Sequence, residues 1–188
     1  AMGVEEVNPD AKVLVAVTNS WFSPDDEQAA SDALIGKDCD VLAQHVDTTA
    51  PQIASEENGT WAIGYNSDMS KETPDATLTS VIWNWSAYYT SYVNSIVNAT
   101  YDGSNYYGGM DESLVGLTGL SSLCEDGTQE KVNEMQQKIL SGEFGVFDGE
   151  ILTNDGTVIG EEGKTLDDAT ITGKINWYYH NVEVVDWK

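Results

Sequence analysis

The 188-residue chain contains no arginine: its eight basic residues are all lysines, set against 32 Asp and Glu, for a formal net charge of −24. That excess repels phosphate backbones and anionic lipid heads, and the missing guanidinium removes the usual bidentate reader of phosphate and guanine. Nucleic acid is therefore excluded as a partner. Long apolar runs are absent as well, and a membrane-crossing helix needs about 20 consecutive apolar residues. Cysteine is scarce: Cys39 and Cys124 lie in neither a CxxC nor a metal-type spacing, so they form one distant pair or remain two thiols. Familiar catalytic signatures are missing too, with no GxSxG, HExxH, P-loop or GxGxxG string. What remains is 40% hydrophobic and 10% aromatic, too apolar for an acidic disordered tail, so the chain should bury a core of one domain or one plus part of a second.

From Lys12 onward short apolar runs alternate with capped amphipathic stretches. KVLVAVTN (12–19) reads as a strand covered on both faces, because its apolar residues are consecutive. Ser23 as N-cap, Pro24 at the first helical position and Asp25 and Asp26 in the first turn open a helix that Gly36 ends. Residues 39–46 form the next strand, Thr49 and Pro51 start a short helix that stops near Gly59, and residues 60–66 and 78–84 are the third and fourth strands. Tyr88, Tyr92, Val93, Ile96 and Val97 then recur at helical spacing over 86–100. This alternation predicts βαβ units, an α/β class and a Rossmann-like parallel sheet flanked by helices. Residues 106–120 are Gly-rich and irregular, 128–140 form a helix, and 143–160 read as a hairpin turning at Asn154, Asp155 and Gly156. The tail is β-prone and aromatic. DGEILTNDGTVIGEE lacks the spacing of a calcium loop, so the hairpin accounts for it.

In open parallel sheets, ligands bind beyond the carboxyl ends of the strands. That rule selects Asn19 to Phe22, then Gln44, His45 and Asp47, then Asn66, Ser67 and Asp68, and finally Trp83, Asn84 and Trp85. Rings, amides and carboxylates without arginine suit a neutral polyhydroxyl or heterocyclic ligand, since rings stack on flat faces and carboxylates accept from hydroxyl or exocyclic N–H groups. Each residue also has a plainer reading. Trp21 could plug a gap between strand and helix, His45 could be a hydrogen-bonded structural residue, Asp47 a helix cap, and Asp68 a turn former.

The strings VNPDAKVLVAVTNSWFSPDDEQAASDALI, DVLAQHVDTTAPQIASEENGTWAIGYNSDMS, LTSVIWNWSAYYTSYV and YYGGMDESLVGL, followed by KILSGEF and a hairpin, closely resemble the basic membrane protein family. These are substrate-binding lipoproteins of ABC importers with a type I periplasmic-binding-protein fold, and their characterised branch binds purine nucleosides or purine bases. The resemblance implies a receptor that is not an enzyme, needs no cofactor, sits outside the cytoplasmic membrane and passes its solute to a permease. Carried over by position, Trp21 matches the ring that stacks on the base, Asp68 the carboxylate that holds the ribose hydroxyls with Asn66 beside it, and Asp47 lies in the loop that faces the ligand. Some nucleoside binders carry a lysine where Trp83 and Asn84 stand here, which leaves room for a free base.

The resemblance also implies that an amino-terminal lobe with its own ligand contacts precedes this region in family members. On that basis residues 1–104 correspond to most of the second lobe, 105–143 to a crossover segment and helix that packs on the first lobe, and 144–188 to a hairpin and tail that return. A helix face left uncovered in this way favours self-association. A sugar or small-polyol receptor fits the same residue types. So, more distantly, do a hydrolase using Asp47 and Asp68 as a carboxylate pair and a stand-alone interaction module.

Overall fold

Ser23 and Pro24 begin a helix as their chemistry requires: proline's fixed φ suits the first helical position, where its missing N–H costs nothing. The computed structural model describes residues 1–188. In chain order the elements are α1 (Met2–Val7), β1 (Val13–Val15), α2 (Pro24–Ile35), β2 (Val41–Ala43), α3 (Ala50–Asn58), β3 (Trp61–Asn66), β4 (Thr77–Trp83) and α4 (Trp85–Val97). There follow β5 (Val115–Leu117), α5 (Thr128–Ser141), β6 (Asp148–Leu152), β7 (Val158–Thr165), α6 (Asp168–Gly173) and β8 (Val182–Val184). The residues gather into two compact units, one of Thr18–Gln129 and one of Ala1–Val17 with Glu130–Lys188. The sequence boundaries at 104 and 143 fall inside these units.

The unit of Thr18–Gln129 is built on a four-stranded sheet of order β2-β3-β4-β5. The first three strands run parallel, with Ala43 opposite Ile63 and Asn66 opposite Ile82, while β5 returns antiparallel along the end of β4. The expected α/β class with a mainly parallel sheet holds. Its core is made of small and hydroxyl-bearing residues: Ala54, Ala62, Ala76, Ser55, Thr77 and Ser80 are fully enclosed. Part of this core pairs its polar groups internally, as where Thr73 and Thr77 share a hydroxyl bond of 2.8 Å and Thr79 Oγ1 donates to the Thr118 carbonyl at 3.0 Å, whereas the Ser55 hydroxyl and Gln52 Oε1 are buried without a protein partner. Gly59 ends α3 in the left-handed conformation its φ of 68° shows, where a Cβ would be strained. By contrast α4 buries none of its residues.

The other unit holds two smaller ladders. β6 and β7 form the expected hairpin, with Asp155 Oδ1 accepting from Thr153 Oγ1 at 2.6 Å and from the Thr157 amide at 3.0 Å across the turn. The stretch from Lys12 departs from expectation. Only Val13–Val15 is a strand; it is half-buried, and it pairs in parallel with β8, Val13 facing Val182 and Val15 facing Val184. Its apolar run encodes strand character but carries no information on which of several parallel partners closes the ladder. β5 and α6 also lie in stretches that read as irregular or β-prone. Cys39 and Cys124 are free thiols, and burial together with Asp40 and Asp38 pushes the Cys39 thiol above its ordinary range.

Candidate functional site

Because β2, β3 and β4 are parallel neighbours, the loops that leave their carboxyl ends emerge along one edge of the sheet. Residues 44–49 follow β2, residues 67–70 follow β3, and Asn84 with Trp85 follows β4. The segment carrying Trp21 joins them through two contacts. The Asp47 amide donates to the Trp21 carbonyl at 2.8 Å, and the Trp21 indole meets the His45 imidazole edge to face, centroids 5.1 Å apart. His45 in turn packs against Tyr65 at 4.6 Å, also edge to face. The three rings form a row, yet the indole remains 60% exposed. An indole held on one side and open to water on the other is a stacking surface waiting for a flat or apolar face. His45 thus has the structural role of a bracket between Trp21 and Tyr65.

The loop after β2 is fixed from below by a carboxylate. Glu27, in the first turn of α2, is almost fully buried; its Oε1 accepts from the Ser23 amide at 2.8 Å, and its Oε2 accepts from the Thr48 hydroxyl. Thr48 Oγ1 also accepts at 3.1 Å from the amide of Ala50, the first residue of α3, while Gln44 Nε2 donates to the Val46 and Thr48 carbonyls, each at 2.8 Å. One buried acid therefore ties the start of α2, the loop that carries His45 and Asp47, and the start of α3. Asp47 lines a cavity of about 550 Å³ with Phe22, Pro24, Gln28 and Ile53.

Asn66 ends β3 with φ at 71°, a left-handed conformation that asparagine tolerates better than most residues, and the chain turns there into Asp68. The Asp68 carboxylate is exposed. Ser70 donates to its Oδ1 through both hydroxyl, at 2.6 Å, and amide, at 3.1 Å, and these bonds hold its carboxyl below the usual carboxylate range. Both bonds fall on one oxygen, so Oδ2 can accept from a ligand. The turn-former reading of Asp68 is thus correct as far as it goes, and it orients the carboxylate. At the end of β4 the Asn84 amide donates to the Leu114 carbonyl at 2.7 Å, and Trp83 stacks on Trp85 with centroids 5.8 Å apart. Trp83 is paired with Trp85 rather than with Trp21.

Trp21, His45 and Asp47 are thus brought into contact, and Asn66, Asp68, Trp83 and Asn84 lie along the same strand-end edge. Sequence reasoning missed Glu27 and Tyr65. An acid four residues after an N-cap serine, and the period-two face shared by Trp61, Ile63 and Tyr65, are the signals that could have found them. No three His, Cys, Asp or Glu side chains gather as a metal site needs. The chemistry on offer is stacking, hydrogen bonding and acceptance by carboxylate.

Residues 1–149 match the family model described as ABC transporter substrate-binding protein PnrA-like. Among curated proteins, a purine-binding protein of Brucella abortus is 35% identical over 97% of this chain and 51% of its own length. The provisionally named ABC transporter glucose-binding protein TsgA13 of Haloferax volcanii is 31% identical over 79% of this chain and 38% of its own. The chain spans about half the length of the first of these relatives and less of the second. A solved ABC transporter solute-binding protein from Conexibacter woesei shares the fold with a TM-score of 0.62 at 19% identity, covering 77% of this chain and 49% of that one.

Proposed function

Since the chain belongs to the PnrA-like family of ABC transporter substrate-binding proteins, a family of receptors and not of enzymes, we propose that its strand-end edge forms one wall of a solute cleft and that the solute is a purine base or purine nucleoside. The observation that carries this reading is the row Tyr65–His45–Trp21, which presents an indole 60% exposed beside the loop of Asp47. Indole stacks on a purine; Asp47 and the open oxygen of Asp68 accept from exocyclic N–H or ribose hydroxyl groups; Asn66 and Asn84 supply both donors and acceptors. The purine-binding relative, matched over 97% of this chain, supports the ligand class. In this reading the protein works outside the cytoplasmic membrane and delivers its solute to a permease. No helix is long and apolar enough to cross a membrane.

A glucose-binding relative favours a second reading, a sugar receptor, because indole and carboxylate also suit a pyranose. Fluorescence titration separates them. Adenine, adenosine and guanosine should quench tryptophan emission saturably, and Trp21→Leu should abolish that component while the five other tryptophans report unchanged folding. Quenching by glucose or ribose with none by any purine would overturn the purine assignment.

A further inference from the structure

Away from the strand-end edge, five tyrosines line a second cavity. Tyr88 and Tyr92 lie one turn apart on α4, their rings 5.8 Å apart at 30°. After the helix, Ala99 adopts φ of 53° and the Thr100 and Tyr101 amides both return to the Ser95 carbonyl, at 2.8 and 3.2 Å, so the chain doubles back along the helix. That reversal lays Tyr101 edge-on against Tyr92 at 5.1 Å and Tyr106 against Tyr88 at 4.6 Å. The rings border an open cavity of about 310 Å³ whose wall also includes the exposed Tyr107 and Asp102 and contains no lysine. It shares no residue with the candidate purine site.

The geometry points to a binding site for a small methylated ammonium ion, of the tetramethylammonium or choline type. Aromatic faces carry negative quadrupole charge and attract a cation most strongly when the cation is weakly hydrated. The amide and hydroxyl of Ser104 hold the Asp102 carboxyl below its usual range, so the wall carries a fixed negative charge at neutral pH. Hydroxyls and the Asn105 amide line the same wall, so what favours a methylated ammonium over a metal ion or a primary ammonium is its weak hydration, which leaves less to be lost on entering a ring-lined site. A neutral ligand of the same shape would use the rings but not Asp102, and the chain's net charge of −24 raises the local concentration of any cation without selecting one.

The test is NMR of the whole chain with tyrosine rings labelled, titrated with tetramethylammonium chloride and choline chloride, with sodium chloride at matched ionic strength, and with 3,3-dimethyl-1-butanol, the neutral isostere of choline. Saturable shifts of the Tyr88, Tyr92, Tyr101 and Tyr106 rings are expected with both ammonium ions, none with sodium, and weaker binding with the neutral alcohol. Tyr92→Leu should weaken binding roughly two- to thirtyfold, the span of one cation–π contact, whereas Tyr92→Phe keeps the ring and should bind within about twofold of the parent. Asp102→Asn, which leaves the rings packed, should weaken the cation and spare the isostere. Equal shifts with sodium, equal affinity for the isostere, or unchanged binding in Asp102→Asn would each overturn the assignment.

Discussion

Removing the buried acid of α2 tests how the candidate site is held. Glu27 is 1% exposed, and its carboxylate accepts one hydrogen bond from the Ser23 amide and one from Thr48 Oγ1. A hydrogen bond to a charged group contributes about 1.5–3 kcal/mol, and a buried partner left without its acceptor costs its desolvation in full. Glu27→Ala strands both donors and leaves a gap, for an expected loss of about 3–5 kcal/mol. Glu27→Gln keeps an oxygen for the Ser23 amide but turns an N–H₂ toward Thr48, whose hydroxyl proton must then find another acceptor; the expected loss is about 1–2 kcal/mol. Urea unfolding followed by tryptophan emission measures both, with midpoint shifted and slope unchanged. Amide exchange adds a local readout: protection at Ser23 should fall in Glu27→Ala, and protection at Ala50 in both variants, because the Ala50 amide donates to the Thr48 hydroxyl that Glu27 holds. If Glu27→Ala lost under 0.5 kcal/mol, or if the two variants lost equal amounts, the acid would not be organising the loop.

Gly64 lies on β3 where an added Cβ would sit 2.3 Å from Ser80 Oγ and 3.2 Å from Met69 Cβ, so Gly64→Ala should cost about 1–3 kcal/mol of stability by thermal denaturation and displace the hydroxyl that Met69 N–H donates to, next to Asp68. Tyr179 donates to Glu5 Oε2 at 2.7 Å, and that bond, with burial, pushes its phenol up to about 12. A raised pKa means stability present below the unfolded value near 10 and lost as pH climbs toward 12; the alkaline fall in melting temperature should therefore be shallower in Tyr179→Phe than in the parent. The net charge of −24 is self-repelling, so raising KCl from about 0.1 to 1 M, which shortens the screening length from about 10 to 3 Å, should raise the melting temperature by roughly 2–4 °C per kcal/mol relieved. A flat or falling salt curve would show that these charges lie too far apart to matter.

The candidate site was legible in outline because strand ends in a parallel sheet are legible. Asn66, Asp68, Asp47 and Asn84 all fall where the run of apolar residues stops, and that stop is written in the local composition. What the pattern left open was which ring touches which. His45 reads equally as ligand contact or structural residue, and only its place between Trp21 and Tyr65 shows it acting as a bracket. Trp83 and Trp85 alternate with Asn84 at period two, like two residues on one face of a strand, but β4 stops at Trp83 and α4 starts at Trp85, and the turn between them stacks the two rings.

The sequence by itself determined what depends on a few neighbouring residues. Ser23 and Pro24 start α2, Gly59 stops α3, Asn154 to Gly156 turn the hairpin, and the missing arginine and high acidity set the classes of partner. These follow from backbone preference, capping and charge, whose range is a turn of chain or a Debye length. The tertiary structure alone decided the pairings that bridge distance: β1 with a strand near the carboxyl end, β5 folding back antiparallel on β4, and Glu27 buried beneath Thr48. Such choices depend on which distant surface closes over an apolar face or satisfies a buried acceptor, and a local pattern specifies the need without naming the partner.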